Sequence, residues 1–430
     1  MIEFGKRISS GPWDAIYERP KCDVESASVI TGGIFSDVLQ WIGAILKPSI
    51  VILGLTMNLL NSSNATGADH LEIVREVLLD AGAVIQPHAI AQTRDGGYVV
   101  AGQGSHVPWA LRTDAGGNKM LWRYIMDMPQ WKAGGDEATY QGVAILPDDS
   151  ALLCGWKNDK EHNAVNGLLT HIDKAGKVIS EKFLKPDPPI DRALNYLVTC
   201  QAWGDGVAVI GKADRLVHDE INNDEVHLES ILWLLALDAK ADIKWQKLIP
   251  GISNPSQALV MPDEDLIIVS GGGGKVARID PSGTVKAQGE FFGYLVRPAQ
   301  PESAIYNFYP GEGSKLMALH KFNDQLEEAG QVTGGAKTIH PYSMYRMADG
   351  SLLQFGYQPG SVARAAISWI SPDLNKVQTV IPKLGKSPWV TDAIPTGQPG
   401  EFVTIRAIMP YTMSSERREY GLVLAFVRVK

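Results

Sequence analysis

Beyond residue 69, the hydrophobic positions of this chain fall into short strand-like runs separated by acidic and glycine-rich turns. The clearest example is the stretch 90–124, in which three such runs are joined by the turns 94–97 (RDGG) and 114–118 (DAGGN). Alternating apolar and polar residues bounded by glycine and aspartate are typical of half-buried antiparallel strands. With His88 and Ala89 in front of it, the stretch predicts a small sheet of four strands.

The same order of strand, acidic turn, strand, loop, strand, Asp-x-x-Gly turn and strand recurs along the chain with heavy variation. Copies begin near residues 88, 142, 196, 257, 294, 342 and 389. Four-stranded units at a spacing of roughly 40–55 residues are typical of β-propeller blades. The sequence therefore predicts an all-β propeller of seven four-stranded blades, although the degenerate fifth copy leaves six or eight open.

The seventh copy is one strand short, and the missing strand is found at the other end of the repeats. The segment 70–80 (HLEIVREVLLD) resembles the fourth strands of other copies. Its residues are also good helix formers, so a helix is the alternative. We expect a strand that completes the last blade and closes the ring.

The N-terminal part predicts targeting rather than catalysis. It divides into a polar segment (1–36), a hydrophobic segment with a short linker (37–68) and the propeller domain (69–430). The apolar run 38–60 is about long enough to cross a bilayer. It could be a retained membrane anchor, the hydrophobic core of a cleaved signal segment, or a buried helix of the fold.

The basic residues around the apolar run favour export. Four precede it, whereas Arg75 alone follows in the comparable stretch. Positive residues remain on the cytoplasmic side of a membrane, so the C-terminal body is expected outside, as a periplasmic, secreted or anchored protein. The preceding residues are Lys6, Arg7, Arg19 and Lys21.

Composition narrows the partner class. The 430 residues are 45% hydrophobic and 20% charged, with a formal net charge of −8. These are globular values, and the acidity argues against nucleic acid, which requires a basic surface. Of the three cysteines, Cys154 and Cys200 fall in neighbouring copies, and they could form a disulfide or remain two buried thiols.

The residues 92–102 (QTRDGGYVVAG), followed by Leu111, Asp114, Asn118 and Trp122, carry a resemblance. They resemble secreted bacterial β-propeller repeats of the QTxDGGYxVAG…LDxxGNxxW type and are distantly similar to quinoprotein-like propellers. The resemblance implies a fold and an exported location. These residues build blades rather than contact a substrate.

No contiguous catalytic motif is present, and the sequence predicts neither a catalytic residue, a metal site nor a cofactor. The four glycines 271–274 lack the Lys-Ser/Thr of a phosphate-binding loop and are expected to form a short loop. Trp109 and Trp156 could serve in recognition or in blade packing. The loop histidines match no ligand spacing, so they are expected to be solvated.

Binding residues are expected on one face. In propellers the loops between strands two and three and between blades share a face, and here they are the long ones, including 103–108, 157–166, 213–229 and 409–419. Long loops on a rigid scaffold commonly carry binding. The candidates on this face are Trp131, His162, Asp187, Arg192, His218, His227 and Tyr411.

These observations predict an exported, non-enzymatic binding protein that recognises a protein or glycan partner through its long-loop face. The alternative is a hydrolase or lyase whose site is built at the channel mouth from several blades, since such a site leaves no contiguous motif. Membrane anchoring through 38–60 is a further expectation. The sequence leaves the oligomeric state open.

Overall fold

The computed structural model describes most of the chain from residue 70 onward, in all-β form. The described ranges are 70–80, 85–104, 106–128, 137–159, 164–190, 194–218, 226–271, 274–311, 316–335, 339–360, 363–384, 387, 389–408 and 421–430, without the side chains of 215–218 and 226–228. Strands are numbered in chain order, and all of them belong to the unit Asp69–Lys430.

The described strands form seven four-stranded antiparallel units. Units 1 to 3 follow the N-terminal strand β1 (Leu71–Leu79) and contain β2 (Gln86–Gln92), β3 (Tyr98–Gly104), β4 (Val107–Thr113), β5 (Met120–Ile125); β6 (Ala138–Ile145), β7 (Ala151–Asp159), β8 (Ala164–Ile172), β9 (Val178–Leu184); β10 (Leu194–Trp203), β11 (Gly206–His218), β12 (Val226–Leu237) and β13 (Ile243–Ile249).

Units 4 to 7 continue the same order, and the seventh unit takes β1 as its fourth strand. Their strands are β14 (Pro255–Val260), β15 (Leu266–Ser270), β16 (Val276–Ile279), β17 (Val285–Gly289); β18 (Tyr294–Pro298), β19 (Ile305–Tyr309), β20 (Met317–Phe322), β21 (Glu328–Gly334); β22 (His340–Arg346), β23 (Leu352–Gln358), β24 (Arg364–Ile370), β25 (Val377–Val380); β26 (Asp392–Pro395), β27 (Glu401–Ile408) and β28 (Gly421–Val429).

The N-terminal strand closes the seventh unit. β1 pairs antiparallel with β28 along its length, from Leu71 opposite Val429 to Leu79 opposite Leu422. The expectation of a strand at 70–80 is therefore confirmed over the helix. Tertiary pairing outweighs the helix propensity of these residues, because the alternative leaves the edge of β28 unpaired.

The units are arranged in a closed ring. Each first strand contacts the first strand of the next unit, and β26 contacts β2. Seven hydrophobic clusters each lie between two consecutive units, including one shared by units 7 and 1. The radial arrangement of sheets around their first strands is that of a β-propeller, which confirms the fold class.

Most of the first strands carry a β-bulge near their start. One residue in each of units 1, 2, 3, 4 and 6 has no partner on the second strand; these residues are His88, Gln141, Val198, Ser256 and Tyr342. Beside the bulge of unit 2, a Cβ on Gly155 would lie 1.8 Å from the carbonyl oxygen of Thr139. The small residues that end the second strands are therefore required by the bulges.

The aspartates that recur in the sequence build turns. Between the third and fourth strands of unit 3, Asp238 Oδ1 accepts the backbone N–H groups of Lys240 and Asp242, at 2.8 and 2.9 Å. In unit 2, Asp173 Oδ1 accepts from Ala175 and Lys177, both at 2.9 Å. The recurring aspartates therefore serve the turns of the blades rather than a binding site.

Buried arginines hold neighbouring units together at the face of these turns. Arg278 in unit 4 pairs with Asp265 at 2.6 Å and with Asp324 of unit 5 at 2.9 Å. Arg112 in unit 1 pairs with Asp95 at 2.7 Å and reaches the Lys174 carbonyl of unit 2 at 3.1 Å. Both guanidinium groups bind acceptors of their own and of the next unit, so these arginines are structural.

Both cysteines of the propeller are free and buried. Cys154 and Cys200 belong to the same core cluster, between units 2 and 3. Burial raises the pKa of the Cys154 thiol well above its ordinary value, and the neighbouring Cys200 adds to the effect. The structure therefore has the two thiols rather than the disulfide.

The expected boundaries 1–36 and 37–68 and the apolar segment 38–60 lie outside the described residues. In the part of the chain that the structure describes, no helix is both long and apolar enough to span a membrane. The roles proposed for the N-terminal segment remain predictions.

Candidate functional site

The two faces of the ring differ in their connections. The turns between first and second and between third and fourth strands are short and hydrogen-bonded, as at Thr93–Gly97 and Asp238–Asp242. The other connections are longer between several units, for example between β5 and β6 and between β27 and β28. We call their side of the ring the long-loop face.

Three of the expected loops are wholly or partly strands instead. Within 157–166, β7 continues to Asp159 and β8 begins at Ala164. The predicted loop 103–108 contracts to the residues between Gly104 and Val107, and the predicted loop 213–229 is largely an extension of the hairpin β11–β12. His218 and His227 therefore lie in strands, where Val217 pairs with His227 and His218 with Val226. The alternation of apolar and polar residues in 226–229 (VHLE) favours this pairing over a loop.

Of the other predicted binding residues, the structure describes Asp187. Asp187 is exposed on the connection between β9 and β10, where its peptide bond to Pro188 is cis. Trp131, His162, Arg192 and Tyr411 lie outside the described residues. For His218 and His227 the structure describes the backbone.

Trp109 and Trp156 take packing roles. Trp109 is buried in the cluster between units 7 and 1. Trp156 meets the ring of Tyr196 edge-on, with centroids 5.6 Å apart. Neither is presented as a flat exposed surface to a partner.

A cluster of three ionisable side chains lies in the interior of the ring. Arg297 belongs to β18 in unit 5, and its Nη1 lies 3.8 Å from Asp392 Oδ1 of β26 in unit 7. Units 5 and 7 are separated by unit 6, so the side chain must extend through the interior of the ring. On the way, Nη1 donates to Tyr345 Oη of unit 6 over 3.5 Å. We call Arg297, Tyr345 and Asp392 the channel cluster.

Asp392 also links unit 7 to unit 1 through a hydrogen bond. Its Oδ2 accepts the N–H of Ile90 in unit 1 at 3.3 Å, and its Oδ1 accepts the N–H of Ala393 at 2.9 Å. Burial raises the pKa of Asp392, and Arg297 and the two backbone donors oppose the shift without cancelling it. The long 3.8 Å separation from Arg297 explains why burial prevails.

Tyr345 is held in place by its hydroxyl, which donates to the carbonyl oxygen of Ala393 at 2.7 Å. Burial raises its pKa, so the phenol is neutral at physiological pH. Burial lowers the pKa of Arg297, but Tyr345 and Asp392 outweigh that effect and the net shift is upward. In the channel cluster, the permanently charged guanidinium of Arg297 therefore lies beside the carboxyl group of Asp392, which two backbone N–H groups hold in place.

Arg297 differs from other buried and half-buried arginines in the distances to its acceptors. Arg406 donates to Glu76 at 2.6 Å, Arg346 to Glu302 at 3.0 Å and Arg278 to Asp265 at 2.6 Å. For Arg297, the described residues supply the two long contacts at 3.5 and 3.8 Å, both through Nη1. Its Nε and Nη2 face no protein acceptor in that part of the chain.

Aromatic side chains lie at the long-loop end of the same strands. The His340 and Tyr357 rings stack with centroids 5.1 Å apart, and Tyr342 lies 5.8 Å from Tyr357. Tyr294 begins β18, and its pKa is raised by burial and by Tyr357. We call Tyr294, His340, Tyr342 and Tyr357 the aromatic rim. Phe292, two residues before β18, is 58% exposed.

His88 is a second unusual group on a first strand. It is the bulged residue of β2, and its Nε2 is buried without a hydrogen-bond partner among the described residues. Burial alone lowers its pKa from 6.5 to about 4. The ring is therefore neutral at pH 7, and no charged group accounts for the shift.

We expect His88 to make the protein acid-sensitive. Because its pKa is lower in the folded than in the unfolded state, stability is complete above pH 6.5 and falls as the pH drops toward 4. The full shift corresponds to about 3 kcal/mol. Denaturant midpoints at pH 7, 5.5 and 4.5 should show a smaller loss for His88→Gln than for the wild type. The matched control is His106→Asn, since His106 is exposed. If the denaturant midpoint of His88→Gln fell with pH as steeply as that of the wild type, the assignment to His88 would be contradicted.

Two other features give weaker support for a functional site. Among the described residues, no group of three or more His, Cys, Asp or Glu could hold a metal ion. A cleft of about 330 Å³ between units 5 and 6 is lined by Tyr306, Lys321, Arg346 and Asp349, among others. There Arg346 stacks on Tyr306 at 4.5 Å and pairs with Glu302, so its charge is already compensated.

The channel cluster and aromatic rim were missed by sequence reasoning, which looked for binding residues in loops. One signal was available. First strands of a propeller are packed between neighbouring units, so a charged residue within one is unusual. Arg297 in YLVRP and Asp392 in TDAIP are such residues.

Comparison with solved structures places the chain among propellers. Virginiamycin B lyase from Staphylococcus aureus is similar with a TM-score of 0.52 and 11% identity, over 84% of this chain and 100% of that one. The Dos1 propeller gives 0.45 and 8%, over 80% and 78%. A protein of unknown function from Bacteroides caccae gives 0.38 and 11%, over 66% and 94%. At such identity the likeness shows the fold alone.

No protein-family model matches the sequence, and no curated protein matches it.

Proposed function

We propose that this protein is a non-enzymatic binding module whose partner, a protein or glycan, docks on the long-loop face over the mouth of the channel. The observation that supports it most is the aromatic rim at the long-loop ends of β18, β22 and β23, together with exposed Phe292 in the connection before β18. Aromatic side chains with arginine are the residue types that dominate binding energy at interfaces.

The closed ring makes a suitable scaffold for such a surface. The rim residues lie on strands that are hydrogen-bonded within their units and packed between neighbours, as in the cluster shared by units 5 and 6. Side chains on strands are more precisely placed than side chains on loops. The surface is therefore pre-organised, which lowers the entropic cost of binding.

An enzyme is the second candidate, since the S. aureus neighbour is a lyase by name. One observation favours it here: Asp392 is a buried carboxylate with a raised pKa inside the channel. General acid–base chemistry needs a partner group positioned with it. In the described part of the chain, that carboxylate is instead engaged by two backbone N–H groups and Arg297. We therefore favour binding.

Export remains part of the proposal. It rests on the apolar run 38–60 and on the basic residues in front of it. An exported location would give the long-loop face access to envelope proteins and surface glycans. Membrane anchoring and secretion are both compatible with the same binding face.

The test compares two exposed phenylalanines in the full-length protein. Phe292→Ala, on the long-loop face, should weaken binding to glycans or purified envelope proteins displayed on an array by about 30-fold, the effect of losing about 2 kcal/mol at a hot spot. Phe183→Ala, on the outermost strand of unit 2 and 49% exposed, is the matched control. Equal binding of both variants, or turnover of a bound ligand, would count against the proposal.

A further inference from the structure

Arg297 has the position and accessibility of an anion-binding residue. Its guanidinium lies in the interior of the ring, because it contacts both the adjacent unit 6 and the next unit 7. Its side chain keeps 35% of its surface accessible. A cation surrounded by protein and yet reachable by solvent is favourably placed for a small ligand in a channel.

The carboxylate next to it does not satisfy it. Asp392 already accepts from the N–H groups of Ile90 and Ala393, and its nearest approach to the guanidinium is 3.8 Å. That distance is too long for a direct hydrogen bond. Tyr345 Oη is likewise committed to the carbonyl of Ala393 at 2.7 Å.

The open side of the guanidinium fits a carboxylate. Both existing contacts use Nη1. Nε and Nη2 remain, and two parallel N–H groups of a guanidinium bind the two oxygens of a carboxylate in a bidentate pair. A single neutral hydroxyl would leave one of these donors unpaired.

The depth of the site sets the size of the ligand. Arg297 is three residues below Tyr294 along β18, which corresponds to about 10 Å at the rise of a strand. A ligand of about that length can place its acidic end at Arg297 while its other end lies where β18 begins, at the long-loop face.

We propose that Arg297 anchors the carboxylate of a small organic acid that enters the channel from the long-loop face. The acid could be a sugar acid or the carboxyl end of an amino-acid derivative, since both present the same group. The inference rests on the proposed binding function and specifies the chemistry recognised at its deepest point.

The test titrates the full-length protein by calorimetry at low salt with two pairs of probes. Glucuronate is compared with methyl glucoside, and N-acetyltyrosine with N-acetyltyrosinamide. At least one acid should bind tenfold or more tightly than its neutral partner. Binding of glucuronate alone identifies sugar acids, and binding of N-acetyltyrosine alone identifies amino-acid derivatives; either result supports the anchor.

The variants locate the effect. Arg297→Met should lose tenfold or more for the acid and nothing for the neutral probe. Arg297→Lys keeps the charge but lacks the two parallel N–H groups of the guanidinium, so it should lose part of the affinity for the acid. This variant provides the test if Arg297→Met fails to fold. Arg364→Met, an exposed arginine at the start of β24, is the control. Equal binding of acids and neutral probes, or wild-type affinity in either Arg297 variant, overturns the anchor.

The outcome is distinguishable from failure of the proposed function. If Phe292→Ala abolishes partner binding while both Arg297 variants bind acids as the wild type does, the binding face stands and the anchor falls. If the acids bind through Arg297 while Phe292→Ala has no effect on partner binding, the anchor stands and the docking face falls.

Discussion

Replacing Gly155 with alanine is expected to lower the free energy of unfolding by about 3 kcal/mol or more. The added Cβ would lie 1.8 Å from the Thr139 carbonyl oxygen and 2.8 Å from Tyr140 Cα. Both obstacles are backbone atoms of the bulged first strand of unit 2, so no side-chain rotation relieves them. Gly356, with its Cβ position 1.9 Å from the carbonyl oxygen of His340, should behave in the same way.

Gly330→Ala is the matched control for this prediction. Gly330 lies in the exposed strand β21, and a Cβ there meets nothing within 4 Å. Surface changes of this kind usually stay within about 0.5 kcal/mol. Urea midpoints of the two variants give the comparison. A Gly155→Ala midpoint close to that of Gly330→Ala would show that the bulge does not have the described geometry.

Glu76→Ala should destabilise the protein by about 3–5 kcal/mol, because it leaves a buried guanidinium without its partner. Arg406 on β27 is 1% exposed, and its Nη2 donates to Glu76 Oε1 at 2.6 Å and to the Leu384 carbonyl. Glu76 Oε2 also accepts the N–H groups of Lys383 and Leu384, each at 3.0 Å. Burial lowers the pKa of Arg406, and the hydrogen bond and charge of Glu76 oppose the shift.

Two further variants separate charge from packing. In Glu76→Met with Arg406→Met, no unpaired charge remains, so most of the lost stability should return. Lys182→Ala removes an exposed pair with Asp242, 3.3 Å apart, and should cost less than about 1 kcal/mol. Denaturant midpoints measure all three. If the double variant is as unstable as Glu76→Ala, the loss reflects packing of β1 rather than the buried charge.

Much of the fold could be predicted because it depends on local chemistry. The turns at Asp173 and Asp238 are visible in the sequence, since each is determined by neighbouring residues. The closing strand could be predicted from the strand that the last copy lacks. Its pairing with Gly421–Val429 follows from closure of the ring, whereas the apolar run of that partner is itself a local strand signal.

The long hairpin of unit 3 shows where local patterns were underused. Charged and polar residues at 213–229 favoured a loop, yet the strands continue to His218 and resume at Val226. The residues 226–229 (VHLE) do alternate, but the acidic residues in front of them obscured the pattern.

The channel cluster could not be predicted, because it joins residues from units 5, 6 and 7. Arg297 and Asp392 are 95 positions apart in the sequence. Their meeting depends on how far the ring turns between successive units, which is a global property. The aromatic rim is similar, since Tyr294 and Tyr357 come from different units.

The pairing of β1 with β28 also constrains how the protein is made. Arg406 follows its partner Glu76 by 330 residues, so at about 5–20 residues per second the ribosome needs roughly 15–65 s between them. Throughout that interval the earliest strand has no partner, and the last unit cannot form. The ring is therefore completed after synthesis of nearly the whole chain, and a chain that terminates early has an open sheet edge on which other chains can assemble.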